Sequence, residues 1–308
     1  MEKHKIIVAY DFKDLSHAAL KYAYELARFV NSGILLVLVL NDDLLMMSDV
    51  INNEHSDKMK KKITDAMQKE IAGQLQKVAD DASAESGVAV DYRIETGKIY
   101  EWVMTIAKEN RARFIVMGRT SIESEMKGFG SNARYVVKEA SCPVITIPCV
   151  ACGATFKNIV LPIDLTKQTR EEVFNAISFG LFFDATIHLV SIIMGGVPAR
   201  KSRIYTKMQM MKKRIEENGV KCTEQLFKKT HKAIHEQVLE YAKDIDANAL
   251  MIMTHQEIST SDKYIGAVAS QIITDSPMPV ISLTSAASMH KQSEKAMRWF
   301  RKLFRTKE

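Results

Sequence analysis

The stretch FIVMGRTSIESEMKGFGSNARYVVKEASCPVITIP, Phe114–Pro148, decides how this chain folds. It opens with the apolar run Phe114–Met117, which is too short and too unbroken for a surface helix. Such a run predicts a buried strand of a parallel sheet. Gly118 ends the run and opens a loop, and Gly130 lies where that loop closes.

A short helix and a second strand follow the loop. Ser131 or Asn132 is a suitable N-cap, and Ala133–Ala140 carries apolar residues at helical spacing. Pro143 then returns the chain to an extended path, which predicts a strand over Val144–Ile147.

This order of strand, glycine-bounded loop and helix start can bind an anion. Free backbone N–H groups and the positive end of the helix dipole point to one place, where a phosphate is stabilised without a basic side chain. The alternative is an ordinary connection between strands with a glycine at each bend.

The stretch resembles the nucleotide loop of the universal stress protein family. The family pattern is Gly, two residues, Gly, nine residues, Gly, then Ser or Thr. Here Gly118 stands first, Ser121 replaces the second glycine, and Gly130-Ser131 ends the loop after only eight intervening residues. The segment Ala140-Ser-Cys-Pro-Val-Ile is similar to the joint that leads into the family's last strand.

The resemblance implies a ligand, which is ATP or a related adenine nucleotide with Mg²⁺. In the family, an Asp after the first strand contacts the nucleotide, and a residue at the end of the second strand meets the adenine through its backbone. Asp11 and Val39 occupy those positions. Asp11 could instead serve only the turn, since Asp164 recurs later in the chain. The expected site comprises Ala9, Tyr10, Asp11, Val39, Met117, Gly118, Arg119, Ser121, Gly130, Ser131 and Asn132.

The charged side chains of the loop roughly cancel. Arg119 and Lys127 would attract a polyphosphate, whereas Glu123 and Glu125 would repel it. Backbone N–H groups are therefore expected to supply most of the affinity.

An internal repeat organises the whole chain. Lys5–Phe12 matches Asn158–Leu165 at an offset of 153 residues, and Ile99–Pro148 matches His235–Thr284 at an offset of 136. Each copy alternates strands and helices, which predicts α/β architecture with two doubly wound, mostly parallel five-stranded sheets. The expected domains are residues 1–150, residues 155–285 and a basic tail, residues 289–308.

The second copy lacks the features expected of a nucleotide loop. Thr254 replaces the first glycine, Glu257 stands where Ser121 does, and Gly266 is followed by Ala267 rather than serine. An acidic side chain and a missing hydroxyl both oppose phosphate binding, so this half is expected to serve structure or partner binding.

Composition narrows the functional classes. The 308 residues suffice for two domains, the four cysteines fit a reducing cytoplasm, and no membrane-spanning run or signal-peptide layout is visible. The net charge of +6 belongs mostly to the tail, so no nucleic-acid role is expected.

In the tail, Met297, Phe300, Leu303 and Phe304 fall at helical spacing, which indicates an amphipathic helix. That helix could lie on an anionic membrane surface, bind an acidic partner or pack on the protein itself.

Other potential sites are weaker. Cys149 and Cys152 spell CxxC without a second metal-binding pair, and His231 and His235 lack the glutamate of a zinc protease helix. No catalytic constellation is visible, so an enzyme is not expected.

The sequence therefore predicts a cytoplasmic regulatory protein that acts through an unknown protein partner. Its final strands, Val144–Ile147 and Val280–Leu283, match the family's dimerising edge, so the halves should pair within the chain, and homo-oligomers are possible. The alternatives are a nucleotide-independent adaptor that works through the tail and, less favoured, a slow ATPase.

Overall fold

The computed structural model describes residues 4–40, 57–119, 130–148, 153, 155–163, 169–193, 203–254 and 265–284. Ser121, Lys127, both loop glutamates, the CxxC cysteines, Asp164, Glu257 and the basic tail lie outside these ranges.

The first half alternates strands and helices as the sequence predicts. Its elements are β1 Lys5–Ala9, α1 Asp14–Val30, β2 Gly33–Leu40, α2 Asp57–Ser86, β3 Val90–Thr96, α3 Ile99–Glu109, β4 Phe114–Gly118, α4 Ser131–Glu139 and β5 Val144–Ile147.

The second half repeats this order. Its elements are β6 Asn158–Pro162, α5 Thr169–Phe183, β7 Thr186–Ile193, α6 Arg203–Glu217, β8 Cys222–Lys228, α7 Ile234–Asp244, β9 Ala249–Thr254, α8 Ala267–Asp275 and β10 Val280–Thr284.

The described strands form one sheet of ten, in which the two expected sets of five strands join edge to edge. Its order is β3-β2-β1-β4-β5-β10-β9-β6-β7-β8. All neighbours are parallel except β5 and β10, which pair antiparallel with Ile281 opposite Ile145. The expectation that the halves pair through their last strands is thereby confirmed. The sheets merge because each half would otherwise leave an apolar edge strand with unpaired backbone groups.

Two apolar cores cover the two faces of the sheet. One lies under α1, α2, α5 and α6, and the other under α3, α4, α7 and α8. Both faces of the inner strands are covered, which is why strands such as β1, β2 and β4 are nearly continuous apolar runs.

The start of α1 has no side-chain cap. Lys13 is the N-cap and forms no side-chain cap bond, although Asp14 and Ser16 nearby have side chains of the type preferred at that position. The Ser16 hydroxyl instead donates to the Lys13 carbonyl at 2.8 Å. The helix therefore begins at Asp14, whose carboxylate lies at the positive end of the dipole.

Aromatic rings join the halves on the α1 side of the sheet. Phe156, in the connection between the halves, stacks on Phe183 of α5 at 4.1 Å and meets Tyr22 of α1 edge-on at 5.5 Å. Phe114 of β4 meets Phe179 of α5 at 6.3 Å between ring centroids. Since these residues belong to one core, neither half is packed independently of the other.

None of the helices in the described parts of the chain has the length and apolar character needed to cross a membrane.

We expect Phe156→Ala to destabilise the whole protein. Phe156 is 3% exposed, and loss of a buried ring costs about 3–5 kcal/mol. Urea unfolding should show a single transition at lower denaturant, because both halves share the lost contacts. Met210→Ala, at a side chain that is 68% exposed, is the control and should leave the midpoint nearly unchanged. Two separate transitions, only one of them shifted, would contradict a shared core.

Candidate functional site

The candidate site lies at the carboxyl end of β1, where the strand order reverses. β1 lies between β2 and β4. The chain leaves β1 into α1 on one face of the sheet and leaves β4 toward α4 on the other. Ligands of open α/β sheets bind in the crevice that such a reversal creates.

The backbone of Val39 faces this crevice. The last register pair of β1 is Ala9 with Val37, and Tyr10 N–H donates to the Val37 carbonyl at 2.9 Å. Along a parallel strand, every second residue turns its N–H and C=O to the same neighbour. Val39 therefore turns both groups toward the space beyond β1, which suits recognition of a heterocycle edge.

The floor of the crevice is apolar on the α4 side. Ala9, Val39 and Met117 belong to the core on that face, and Met117 is 4% exposed. Of the three, Ala9 alone keeps partial exposure, so it is the side chain that a flat ring could touch.

Asp11 shapes the turn between β1 and α1. Its Oδ1 accepts the Lys13 N–H at 3.1 Å, and its own N–H donates to the Ser16 hydroxyl at 3.3 Å. Phe12 between them has a φ of 63°, so the turn needs such local bonds. Asp11 therefore stabilises the turn, which is the alternative role that the sequence left open for it. Its side chain is exposed and also lies at the edge of the crevice.

Gly118 is required by α1. A Cβ at this position would lie 2.8 Å from the Leu15 Cβ and 3.2 Å from the Leu15 carbonyl oxygen. The close approach expected of this glycine therefore involves the first turn of a helix. Sequence reasoning missed Leu15, although a glycine that ends a buried strand signals that some backbone or side chain approaches it closely.

The first turn of α4 supplies the anion-binding geometry. Gly130 is the N-cap, with φ −54° and ψ 144°, and no side-chain cap bond is formed. This differs from the prediction of a Ser131 or Asn132 cap, because both residues already lie within the helix. The N–H groups of Ser131, Asn132 and Ala133 precede the first helical bond, which Arg134 N–H donates to Gly130. They can donate to a phosphate.

Tyr10 turns away from the crevice. Its ring belongs to the core on the α1 face, and its hydroxyl lies 2.8 Å from His17 Nδ1. Burial, followed by the nearby Tyr24 and Asp11, raises the pKa of Tyr10 to about 12. Its expected role in the site is therefore limited to the backbone.

Arg119 does not face the crevice as expected. Its guanidinium Nη1 donates to the carbonyls of Ile273 and Ser276 in the second half, each at 2.8 Å. Its backbone N–H donates to Ile147 at 2.8 Å. These bonds occupy the side chain that was expected to attract phosphate.

The second half keeps the helix geometry but has different bonds at the strand ends. Gly266 caps α8 with φ −53° and ψ 148°, nearly the values of Gly130. However, the Thr254 hydroxyl donates to the Leu283 carbonyl at 3.0 Å, and the Ser191 hydroxyl donates to the Ile163 carbonyl at 3.0 Å. Both hydroxyls therefore bond main-chain carbonyls at the edge of the sheet that corresponds to the crevice beside Gly118 in the first half.

The other polar candidates have ordinary surface surroundings. His235 Nε2 lies 3.4 Å from Asp275 Oδ2, so it takes part in a contact between α7 and α8. No group of three potential metal ligands occurs among the residues that the structure describes.

We expect Gly118→Ala to destabilise the fold, because the new methyl group overlaps the first turn of α1. Overpacking of this kind costs about 1–3 kcal/mol. The matched control is Gly73→Ala in α2, where a Cβ meets nothing within 4 Å and a gain of about 0.5–1 kcal/mol is expected. Urea unfolding of both variants measures the difference. Equal midpoints for the two would show that the Leu15 contact is not tight.

Stability should fall in alkaline solution as buried tyrosines ionise. Burial raises the pKa of Tyr10 and of Tyr24 to about 12, against about 10 in an unfolded chain. The folded state therefore binds these two protons more strongly than the unfolded state does. Their contribution to the free energy of unfolding is complete below about pH 10 and is lost as the pH rises toward 12. Urea unfolding across this range should show a shallower decline for Tyr10→Phe. A decline in stability as steep as that of the wild type would contradict the raised pKa of Tyr10.

Comparisons with known proteins find a family match in sequence for the first half and a shared fold for the whole chain. Residues 3–148 match the universal stress protein family, and a search of curated proteins finds no significant match. The structure is similar to a universal stress protein from Archaeoglobus fulgidus DSM 4304, with 16% identity and a TM-score of 0.67 over 90% of this chain and 95% of that one. It is also similar to a protein from Pseudomonas aeruginosa UCBPP-PA14 that carries the universal stress protein name, with 14% identity and a TM-score of 0.63 over 96% of this chain and 98% of that one. At these identities the likeness shows a shared fold. Residues 3–148 therefore match the universal stress protein family in sequence, and the two halves together share the fold of the two solved proteins.

Proposed function

We propose that the first half binds ATP or a related adenine nucleotide in the crevice at the end of β1. The chain then acts as a cytoplasmic regulatory protein whose interactions with a protein partner depend on nucleotide occupancy. Binding without efficient turnover is part of this proposal. Among solved universal stress proteins, one is in complex with cAMP and one from Archaeoglobus fulgidus is in complex with dAMP, which are observations on those proteins alone.

The observation that carries the proposal is the uncapped start of α4 beside the free strand ends. Three N–H groups of the first turn precede the helical bonds, and no side chain caps them among the described contacts. Partial positive charge at a helix start favours a phosphate. The backbone of Val39 faces the same crevice and can bond the edge of an adenine, while the partly exposed Ala9 offers it an apolar contact.

Mg²⁺ would enter with the nucleotide. Magnesium in such sites is held mainly by phosphate oxygens and water, with one or two carboxylates. Asp11 fits this role with its Oδ2, since its Oδ1 is taken by the Lys13 N–H. When bound, the ion would neutralise charge between the phosphates and this carboxylate.

The test replaces one donor without disturbing the helix. Ser131 is the first helical residue, where proline is well tolerated, and the extended Gly130 before it is compatible with a following proline. Ser131→Pro removes one N–H from the phosphate site, and a charge-assisted bond is worth about 1.5–3 kcal/mol. Titration of a fluorescent ATP analogue should therefore show affinity lowered roughly 10- to 100-fold.

The matched control is Ala267→Pro in the second half. It makes the same change at the start of α8, after Gly266 with nearly identical dihedral angles. Affinity for the analogue should remain at the wild-type value in this variant. No saturable binding by the wild-type chain up to millimolar nucleotide would end the proposal, and equal effects of the two prolines would place the ligand elsewhere.

A further inference from the structure

Arg119 links the crevice of the first half to a helix of the second. It directly follows Gly118 at the end of β4, and its guanidinium reaches the last turn of α8. The two acceptors, the carbonyls of Ile273 and Ser276, lie at the end of a helix, where carbonyls lack intrahelical partners. The bonds therefore satisfy groups that α8 cannot satisfy itself.

The sequence of α8 makes this link necessary. Its last turn contains no basic residue and ends with Asp275, whereas α4 carries Lys138 in its own last turn. A carboxylate at the negative end of a helix dipole is unfavourable, and a cation there is favourable. Arg119 supplies from the other half the positive charge that α8 lacks.

Both ends of the link are held in place. Ile273 and Ser276, whose carbonyls accept the bonds, are each 0% exposed, so the acceptor end is packed in the protein interior. At the other end, the Arg119 N–H is bonded to Ile147 in the neighbouring strand. Burial lowers the pKa of the guanidinium, and Asp275 opposes that change, so the group stays charged.

We propose that Arg119 is a positioning residue through which the second half supports the nucleotide site of the first. This inference rests on the function proposed above. The bonds to α8 fix the backbone of residues 118 and 119, which form one edge of the crevice. Nucleotide binding needs that edge in one arrangement, and a prearranged site loses less entropy when it is occupied.

By reciprocity, nucleotide in the first half should stabilise α8 in the second. A coupling between two sites acts equally in both directions. Amide hydrogen exchange in α8 should therefore slow when nucleotide binds, although α8 lies in the other half of the chain.

The experiment compares the full-length wild type with Arg119→Met, Arg119→Lys and Ser276→Ala. The probe is a fluorescent ATP analogue, and exchange of the peptide covering residues 267–278 is measured with and without it. Arg119→Met should weaken binding about tenfold, within the range typical of site coupling, and should abolish the slowing of exchange. Arg119→Lys keeps a charged donor and should restore part of both effects.

Ser276→Ala separates positioning from general destabilisation. It removes the hydroxyl bonded to Met278 but keeps the main-chain carbonyl that accepts from Arg119. It should therefore bind the analogue like the wild type and keep the slowing of exchange. If wild type binds and Arg119→Met binds equally well, this inference alone is overturned. If wild type does not bind at all, the proposed function falls and the inference falls with it.

Discussion

The antiparallel pairing of β5 with β10 is the constraint on which the rest of the molecule depends. It joins three residue pairs at the centre of the sheet, with Thr146 opposite Val280 and Val144 opposite Ser282. So short a ladder is weak alone, and packing on both faces reinforces it. The aromatic rings around Phe156 close one face, while α4 packs against β10 on the other. Because the pairing fixes α8 relative to β4, a side chain that follows β4 can reach the end of that helix.

Duplication has kept backbone geometry more faithfully than chemistry. Gly130 and Gly266 start their helices with dihedral angles that differ by only a few degrees. The strand ends differ at the position shared by Gly118 and Thr254. Gly118 leaves room for Leu15, whereas the Thr254 hydroxyl donates to the Leu283 carbonyl. The helix start is kept in both copies, whereas the described strand ends make different contacts. A loop glycine is therefore a poor guide to ligand binding unless the contact that requires it is known.

Much of this could be predicted from sequence, and the failures have physical causes. Apolar runs such as Phe114–Met117 and the internal repeat gave the strands, the helices and the pairing of the last strands. The predicted cap of α4 was wrong because Ser131 has the right chemistry but lies one residue inside the helix, after Gly130. The predicted orientation of Arg119 was wrong because its acceptors, the carbonyls of Ile273 and Ser276, lie more than 150 positions away in the chain. Main-chain acceptors also leave no pattern in a sequence. The absence of a basic residue at the end of α8 was the one available hint.

The link through Arg119 also gives a reason for a second half without an obvious site to persist. In a symmetric pair each copy would support the other's crevice through the same contact. Once the copies are fused, residues at the strand ends of one copy, such as Thr254 and Ser191, can make other bonds without loss of support for the crevice of the other copy. The remaining requirement on the second copy is that α8 end at the right place with free carbonyls. Helix position depends on the buried face of α8, Ile272 and Ile273, rather than on its loop. Selection on packing would therefore preserve the support while the residues around the second crevice changed freely.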